Sequence, residues 1–388
     1  MSQSHEKPSS KHLTSAPNKE GKGIIKHFAF IIGTRAQLIK VAPIIIECEK
    51  KNLPCTLVLT GQHLETMQDL LDEFKIKSKQ VSATTAKENA TVLSLIRWLP
   101  RAYRGIVQEL KSLPPPEHVN VLIHGDTLST VLGALAGRQV GASVVHIESG
   151  LTSKKILDPF PEELSRRIVF RLSDIAMCPN QEATKHMQQK HPRCQSINTE
   201  GNTILDAIKL TGVSRANRPL EGDYIVTSLH RFQNIYNKER LNELAVLLDK
   251  IAQTHIVYFV LHPATRKRLS KYNLIGQLER NQRIKLIPRL GYSEFLQLAA
   301  SSACVLTDGG SNQEELAALG VPTIVMRQAT ERADGLGKNA IMEGELTGSV
   351  LAYIREYRYR ELEKPPTAAA SKSPSACIVD HLVSHEAK

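Results

Sequence analysis

Residues 119–150 read VNVLIHGDTLSTVLGALAGRQVGASVVHIESG. Two β-branched apolar runs, 119–124 and 143–147, flank a helix-length segment at 127–139. Neither run alternates apolar with polar, which is the pattern of a strand buried on both faces. Strand, helix and strand at this spacing make a parallel pair joined by a right-handed crossover. The unit repeats outward. Runs at 27–32, 55–60 and 174–178 complete a first set of strands, and runs at 224–228, 256–261, 284–287, 303–307 and 322–326 form a second. Helix-length segments separate them at 36–51, 64–75, 90–111, 162–172, 180–190, 238–252, 293–301 and 312–319. The prediction is an α/β chain with two Rossmann-like domains, 24–205 and 206–364, whose parallel sheets face a central cleft. Residues 1–23, rich in Ser, Lys, Pro and Gly, read as a disordered basic tail, and 365–388 as a low-complexity segment that returns to the N-terminal domain.

Composition agrees. A chain of 388 residues, 41% hydrophobic and 23% charged, suits two globular domains. No apolar run approaches the ~18 residues of a membrane span, and the first residues do not read as a secretory signal. Six scattered cysteines without a C-x-x-C pair argue against a zinc ribbon and fit reduced thiols in the cytoplasm. The net charge is +11, and the first 27 residues contribute five lysines against two glutamates. A basic chain raises nucleic acid as a partner. With 5% aromatics and no basic helix or basic run, pockets for acidic small molecules such as phosphates explain the charge better.

Ligands of open parallel sheets bind beyond the carboxyl ends of the strands, so the residues that follow each run are the candidates. The first run is followed by Gly33-Thr34-Arg35 and a helix carrying Lys40, an arrangement that suits an anion. Asp126 follows the third run; helix capping alone would explain it. Strand alternation puts His146 and Glu148 on the same side. A metal site from His124, Asp126, His146 and Glu148 is conceivable by donor type, but such pairs are common and no metal is expected. Pro161-Glu162-Glu163 opens a helix, where acids suit the dipole. Gathering Asp126, Glu148 and Glu162 at one sheet edge would raise their pKa values mutually and suit acid–base work. In the second set, His230-Arg231, His262 and Asp308-Gly309-Gly310-Ser311 end strands, with Glu315 on the next helix. The glycine pair and hydroxyl make a diphosphate cradle, and Glu315 would hold ribose hydroxyls. The layout is that of a two-domain sugar-nucleotide enzyme.

The motifs GTRAQLIKVAPII (33–45), TGQHLETM (60–67), HGDTLSTVLGAL (124–135), HIESGL (146–151), PFPEELSR (159–166), EGNTILDAI (200–208), LHRFQN (229–234), TDGGSNQEELAALGVPTIVMR (307–327) and ATER (329–332) occur in order. In this series, across residues 24–360, the chain resembles the non-hydrolysing UDP-N-acetylglucosamine 2-epimerases of GT-B fold. The resemblance implies interconversion of UDP-GlcNAc and UDP-ManNAc without a cofactor, by elimination and re-addition of UDP, supplying activated sugar for cell-surface polysaccharide. It implies a homodimer and a UDP-sugar substrate, and neither a nucleic-acid partner nor a membrane span. Asp126, Glu148, Glu162 and His230 match catalytic positions. Arg35, Lys40, Arg166, Gly310, Ser311, Glu315 and Arg332 match substrate- or UDP-binding positions, and Gln62, His63 and His262 match part of an activating second site. The chain departs from the family pattern at Ala36-Gln37 for Pro-Glu, at Thr152 for arginine, at Phe232-Gln233 for Arg-Glu, and at Ser311, where the usual serine stands two positions earlier. Other outcomes consistent with the motifs are a hydrolysing relative that releases UDP and ManNAc, a GT-B glycosyltransferase, or a binding protein without turnover.

Overall fold

The computed structural model describes residues 26–61, 67–84, 92–153, 161–217, 220, 222–328, 333–367 and 372–384. The first sheet takes seven strands: β1 (His27–Ile32), β2 (Cys55–Leu59), β3 (Lys79–Ser82), β4 (Val119–His124), β5 (Ser143–Ile147), β6 (Ile175–Cys178) and β7 (Gln195–Asn198), in the order β3-β2-β1-β4-β5-β6-β7. The second takes six: β8 (Tyr224–Ser228), β9 (Ile256–Leu261), β10 (Ile284–Pro288), β11 (Cys304–Thr307), β12 (Thr323–Val325) and β13 (Ala340–Met342), in the order β10-β9-β8-β11-β12-β13. Every ladder is parallel. The helices of the first half are α1 (Arg35–Lys50), α2 (Gln68–Glu73), α3 (Val92–Lys111), α4 (Leu128–Val140), α5 (Glu162–Leu172), α6 (Gln181–Lys190) and α7 (Ile204–Thr211). Those of the second are α8 (Phe232–Ile235), α9 (Lys238–Ile251), α10 (Pro263–Lys271), α11 (Ile275–Glu279), α12 (Tyr292–Ala300), α13 (Gly310–Leu319), α14 (Val350–Arg355) and α15 (Pro374–Ser384).

Each sheet reverses its strand order beside its first strand, at β1/β4 and at β8/β11. Those switch points open the crevices in which doubly wound sheets bind ligands. β4 lies between β1 and β5 and is buried at every position, as its unbroken apolar run requires. The turns behind the switch-point strands are tight. A Cβ on Gly33 would stand 1.9 Å from Ser129 Oγ, so only glycine lets α4 start against the end of β1. Thr34 caps α1 and Thr127 caps α4 through their side-chain oxygens. One buried apolar cluster runs through both halves, joining Leu38 of α1, Ile208 of α7, Leu296 of α12, Leu316 of α13 and Ile378 of α15.

The sheets are wider than the two sets of about five strands read from sequence. The additions include the edge strands β3 (KQVS), β7 (QSIN) and β13 (AIM), which are too short or too polar to make an apolar run. The low-complexity stretch gives way at Pro374 to α15. This helix packs on α1 and α7: Ser375 N–H donates to Asp206 Oδ2 at 2.8 Å and Lys51 pairs with Asp380 at 2.6 Å. Among the described residues, no helix is long and apolar enough to cross a membrane. All six cysteines are free thiols.

Candidate active site

The loop after β5 sets the first half of the site. Glu148 adopts φ +62, a left-handed conformation that costs a non-glycine residue about 1 kcal/mol or more. This breaks the strand alternation, so the expectation that His146 and Glu148 share a side is corrected: the two find different partners. His146 Nε2 lies 2.8 Å from Gly125 O, its ring packs on Phe170, and burial pushes its pKa down to about 4. Glu148 Oε2 is 2.7 Å from Lys40 Nζ and 3.0 Å from His124 Nε2. Lys40, 5% exposed, also lies 2.9 Å from Glu314 Oε2 on α13, so it ties the two halves together beneath the cleft.

Asp126, in the turn after β4, pairs with Arg166 of α5. Arg166 also lies 3.6 Å from Glu163, which is fully buried and takes hydrogen bonds from Thr152 Oγ1 (2.6 Å), Ser153 N–H (3.1 Å) and Arg167 Nε (3.1 Å). Burial alone would raise the Glu163 pKa. The bonds from Thr152, Ser153 and Arg167, with the Arg166 charge, outweigh it and hold the carboxyl below its ordinary value. At this edge Asp126 pairs with Arg166 and Glu148 with Lys40, and each of these cations also faces a further carboxylate, Glu163 and Glu314 respectively. Glu162 stands one helical turn before Arg166 and is not among the residues lining this pocket. The carboxylate that α5 turns inward is its neighbour. Adjacent glutamates in a helix N-terminus gave the sequence no means of choosing between them.

Gln37 accounts for one departure from the family motif. Its Oε1 accepts from Gly33 N–H (2.9 Å) and Thr34 N–H (3.1 Å), while its Nε2 donates to His124 O (2.8 Å) and to the Thr127 and Thr130 hydroxyls (3.0 Å each). An amide does both jobs at once, whereas a carboxylate only accepts.

The second half is built behind β8, β9, β10 and β11. Asp308, fully buried, accepts from the backbone N–H groups of His230 and Arg231 (each 2.9 Å) and from Asn234 Nδ2 (2.8 Å). It thereby fixes the loop that carries His230, whose Nδ1 lies 3.4 Å from Asp308 Oδ1. Burial lowers the His230 pKa; Asp308 opposes that and the charges of Arg231 and Arg327 add to it. His262 caps α10 and its ring lies 5.5 Å from that of His230. This places His262 on the main cleft; Gln62, His63 and Arg332 lie outside the described residues.

The cleft has a volume of about 320 Å³, at the lower end of small-molecule sites. Arg35, His230, Arg231 and Arg289 line it beside the start of α13, where Gly310 and Ser311 stand. Arg35 is paired at 2.5 Å with Asp69. Burial first, and then the Arg35 charge, lower the pKa of Arg289. Arg289 was missed from sequence, although it follows β10 directly and the strand-end rule leads to it. Glu315, on the same wall, is pushed up to about 8 by burial and by neighbouring Glu314, against the nearby Tyr292 hydroxyl and the Lys40 charge. Ser311 lines both this cleft and the Asp126–Glu148 pocket, so the two are contiguous. Among the described residues, no group of three His, Cys, Asp or Glu is placed to hold a metal.

The family model described as UDP-N-acetylglucosamine 2-epimerase matches residues 46–368. The UDP-N-acetylglucosamine 2-epimerase of Methanocaldococcus jannaschii is 31% identical over 79% of this chain and 85% of its own length. The chain belongs to the UDP-N-acetylglucosamine 2-epimerase family. The Bacillus subtilis member is 30% identical over 92% of this chain and 94% of its own. The crystal structure of the Neisseria meningitidis enzyme bound to UDP-GlcNAc superposes with a TM-score of 0.73 at 26% identity, covering 92% of this chain and all of that one. This epimerase-family chain is an enzyme with a GT-B-like fold, two Rossmann-like sheets about one cleft. Within it, the paired carboxylates and the cation-lined cleft meet at Ser311.

Proposed function

We propose that this enzyme interconverts UDP-GlcNAc and UDP-ManNAc. The observation that carries the reading is the contiguity at Ser311 of a cationic cleft with the Asp126–Glu148 pocket. UDP lies in the cleft, its diphosphate against Arg35, Arg289, His230 and the start of α13, its ribose near Glu315. The sugar reaches Asp126 and Glu148. A carboxylate takes the C2 proton, the C1–O bond breaks with its electrons going to the UDP phosphate oxygen, and a 2-acetamidoglucal remains. Return of UDP to C1 and of a proton to the opposite face of C2 completes the epimerisation. The arginines stabilise charge that grows on the leaving diphosphate, which is where fixed cations lower a barrier most. Lys40 holds Glu148 and Arg166 holds Asp126 in register. His230, low in pKa, has an imidazole able to take up a proton near the leaving phosphate.

Re-addition of UDP, rather than capture of the glycal by water, is the outcome we assign. Incubation with UDP-GlcNAc and separation of the products tests it: UDP-ManNAc at equilibrium is expected, and accumulating free ManNAc with UDP would make the enzyme hydrolysing. By family resemblance we assign a cytoplasmic homodimer, and light scattering at monomer mass would remove the dimer.

A further inference from the structure

A second cavity, of about 460 Å³, opens between α5 and α6, away from the cleft. Arg167, Arg171 and Lys190 line it together with His186 and His191, over the buried ring of Phe170. The three rings meet as a corner: Phe170 lies 5.8 Å from His186 and 5.6 Å from His191, at steep angles. Among the described residues, no acidic side chain lines the cavity. Burial first, then the charges of Arg171 and His186, lower the His191 pKa. Guanidinium groups beside an aromatic corner suit a phosphate attached to a flat ring. The volume exceeds what a bare phosphate fills.

The cavity is wired to the active site. Thr152, at its edge, and Arg167, in its wall, both hydrogen-bond the same oxygen of Glu163. Glu163 shares Arg166 with Asp126. The loop of residues 148–152 spans both sites, with Glu148 in one and Thr152 in the other. Gly150 holds that loop against α6: it has φ +83, a Cβ there would stand 2.3 Å from Ala183 O, and its carbonyl lies 3.1 Å from His186 Nδ1.

We propose that this cavity is an effector site for a nucleoside monophosphate, whose phosphate engages Arg167, Arg171 and Lys190 and whose base enters the Phe170–His186–His191 corner. A phosphate on Arg167 competes with Glu163 for that arginine. Glu163 then draws harder on Arg166 and loosens its pair with Asp126, so turnover slows.

The test uses the full chain saturated with UDP, so that the main cleft is filled. AMP and inorganic phosphate are titrated while the imidazole proton signals of His186 and His191 are followed by NMR, assigned with single glutamine variants. AMP is expected to shift both signals, at least about tenfold more tightly than phosphate, and the Arg171→Gln/Lys190→Gln double variant to weaken AMP about tenfold or more. Both positions are exposed, and the double variant should fold and turn over normally without AMP. No shift, equal affinity for phosphate, or an unchanged double variant would overturn the site. The coupling rests on the proposed epimerisation and has its own readout: AMP should lower kcat about fivefold in the wild type and not in the double variant. An unchanged wild-type kcat would overturn the coupling, while the NMR arm judges the site whatever the reaction proves to be.

Discussion

Two groups of buried or half-buried carboxylates sit on opposite walls of one crevice and are treated in opposite ways. On the first sheet's side, Glu148 has Lys40 and His124, Asp126 has Arg166, and Glu163 has Arg166 and Arg167. On the second sheet's side, Glu314 takes a share of Lys40, and Glu315 is left with the Tyr292 hydroxyl and the repulsion of Glu314, which with burial pushes it up to about 8. The difference lies in which cations reach across. It teaches that the first wall holds its acids in fixed ion pairs beside the Asp126–Glu148 pocket, while the second keeps one acid mostly protonated beside a cluster of arginines. The first suits chemistry and the second suits holding an anion.

The comparison breaks most visibly if the first wall is not where bonds change. Glu148→Gln and Asp126→Asn should each lower kcat by about a thousandfold or more while UDP affinity by calorimetry stays within about threefold. Full activity in both would sink the account. Next in size, Arg289→Ala should weaken UDP by about ten- to a hundredfold, since it removes a phosphate partner on the second wall. An unchanged dissociation constant would take Arg289 out of the site. The bridge between the walls is sharpened by Glu314→Gln, which removes one of the carboxylates on Lys40 but leaves Glu148. Urea unfolding should show a loss of about 1–2 kcal/mol, well short of the cost of stranding the lysine altogether.

The smallest effect concerns Glu315. Its folded pKa, about 8, is raised above the ordinary 4.5. Between those values the unfolded chain releases the proton and the folded chain keeps it, so the unfolded state gains. The stability present below the ordinary value should fall as pH rises toward about 8. Glu315→Gln should flatten that part of the Tm–pH profile. An identical profile in the variant would mean that Glu315 is already ionised.

Much of this architecture is legible in the amino-acid sequence. Apolar runs at strand spacing mark both parallel sheets, and the strand-end rule leads to Asp126, His230 and Ser311. What escapes has physical reasons. Edge strands such as β3 and β7 are polar because one side faces solvent, so they leave no apolar run. α15 opens inside a Ser-, Pro- and Ala-rich stretch, and Asp206, far away in sequence, anchors its start. The left-handed Glu148 defeats any argument from alternation. The sharing of Lys40 between Glu148 and Glu314 joins elements that only the folded chain brings together, and no local pattern marks it.

The most direct test of the central claim is proton NMR of the purified enzyme with UDP-GlcNAc in D2O. The account predicts UDP-ManNAc carrying deuterium at C2, with the exchange abolished in Glu148→Gln or Asp126→Asn. UDP-ManNAc that keeps protium at C2, or exchange that survives both substitutions, would contradict it.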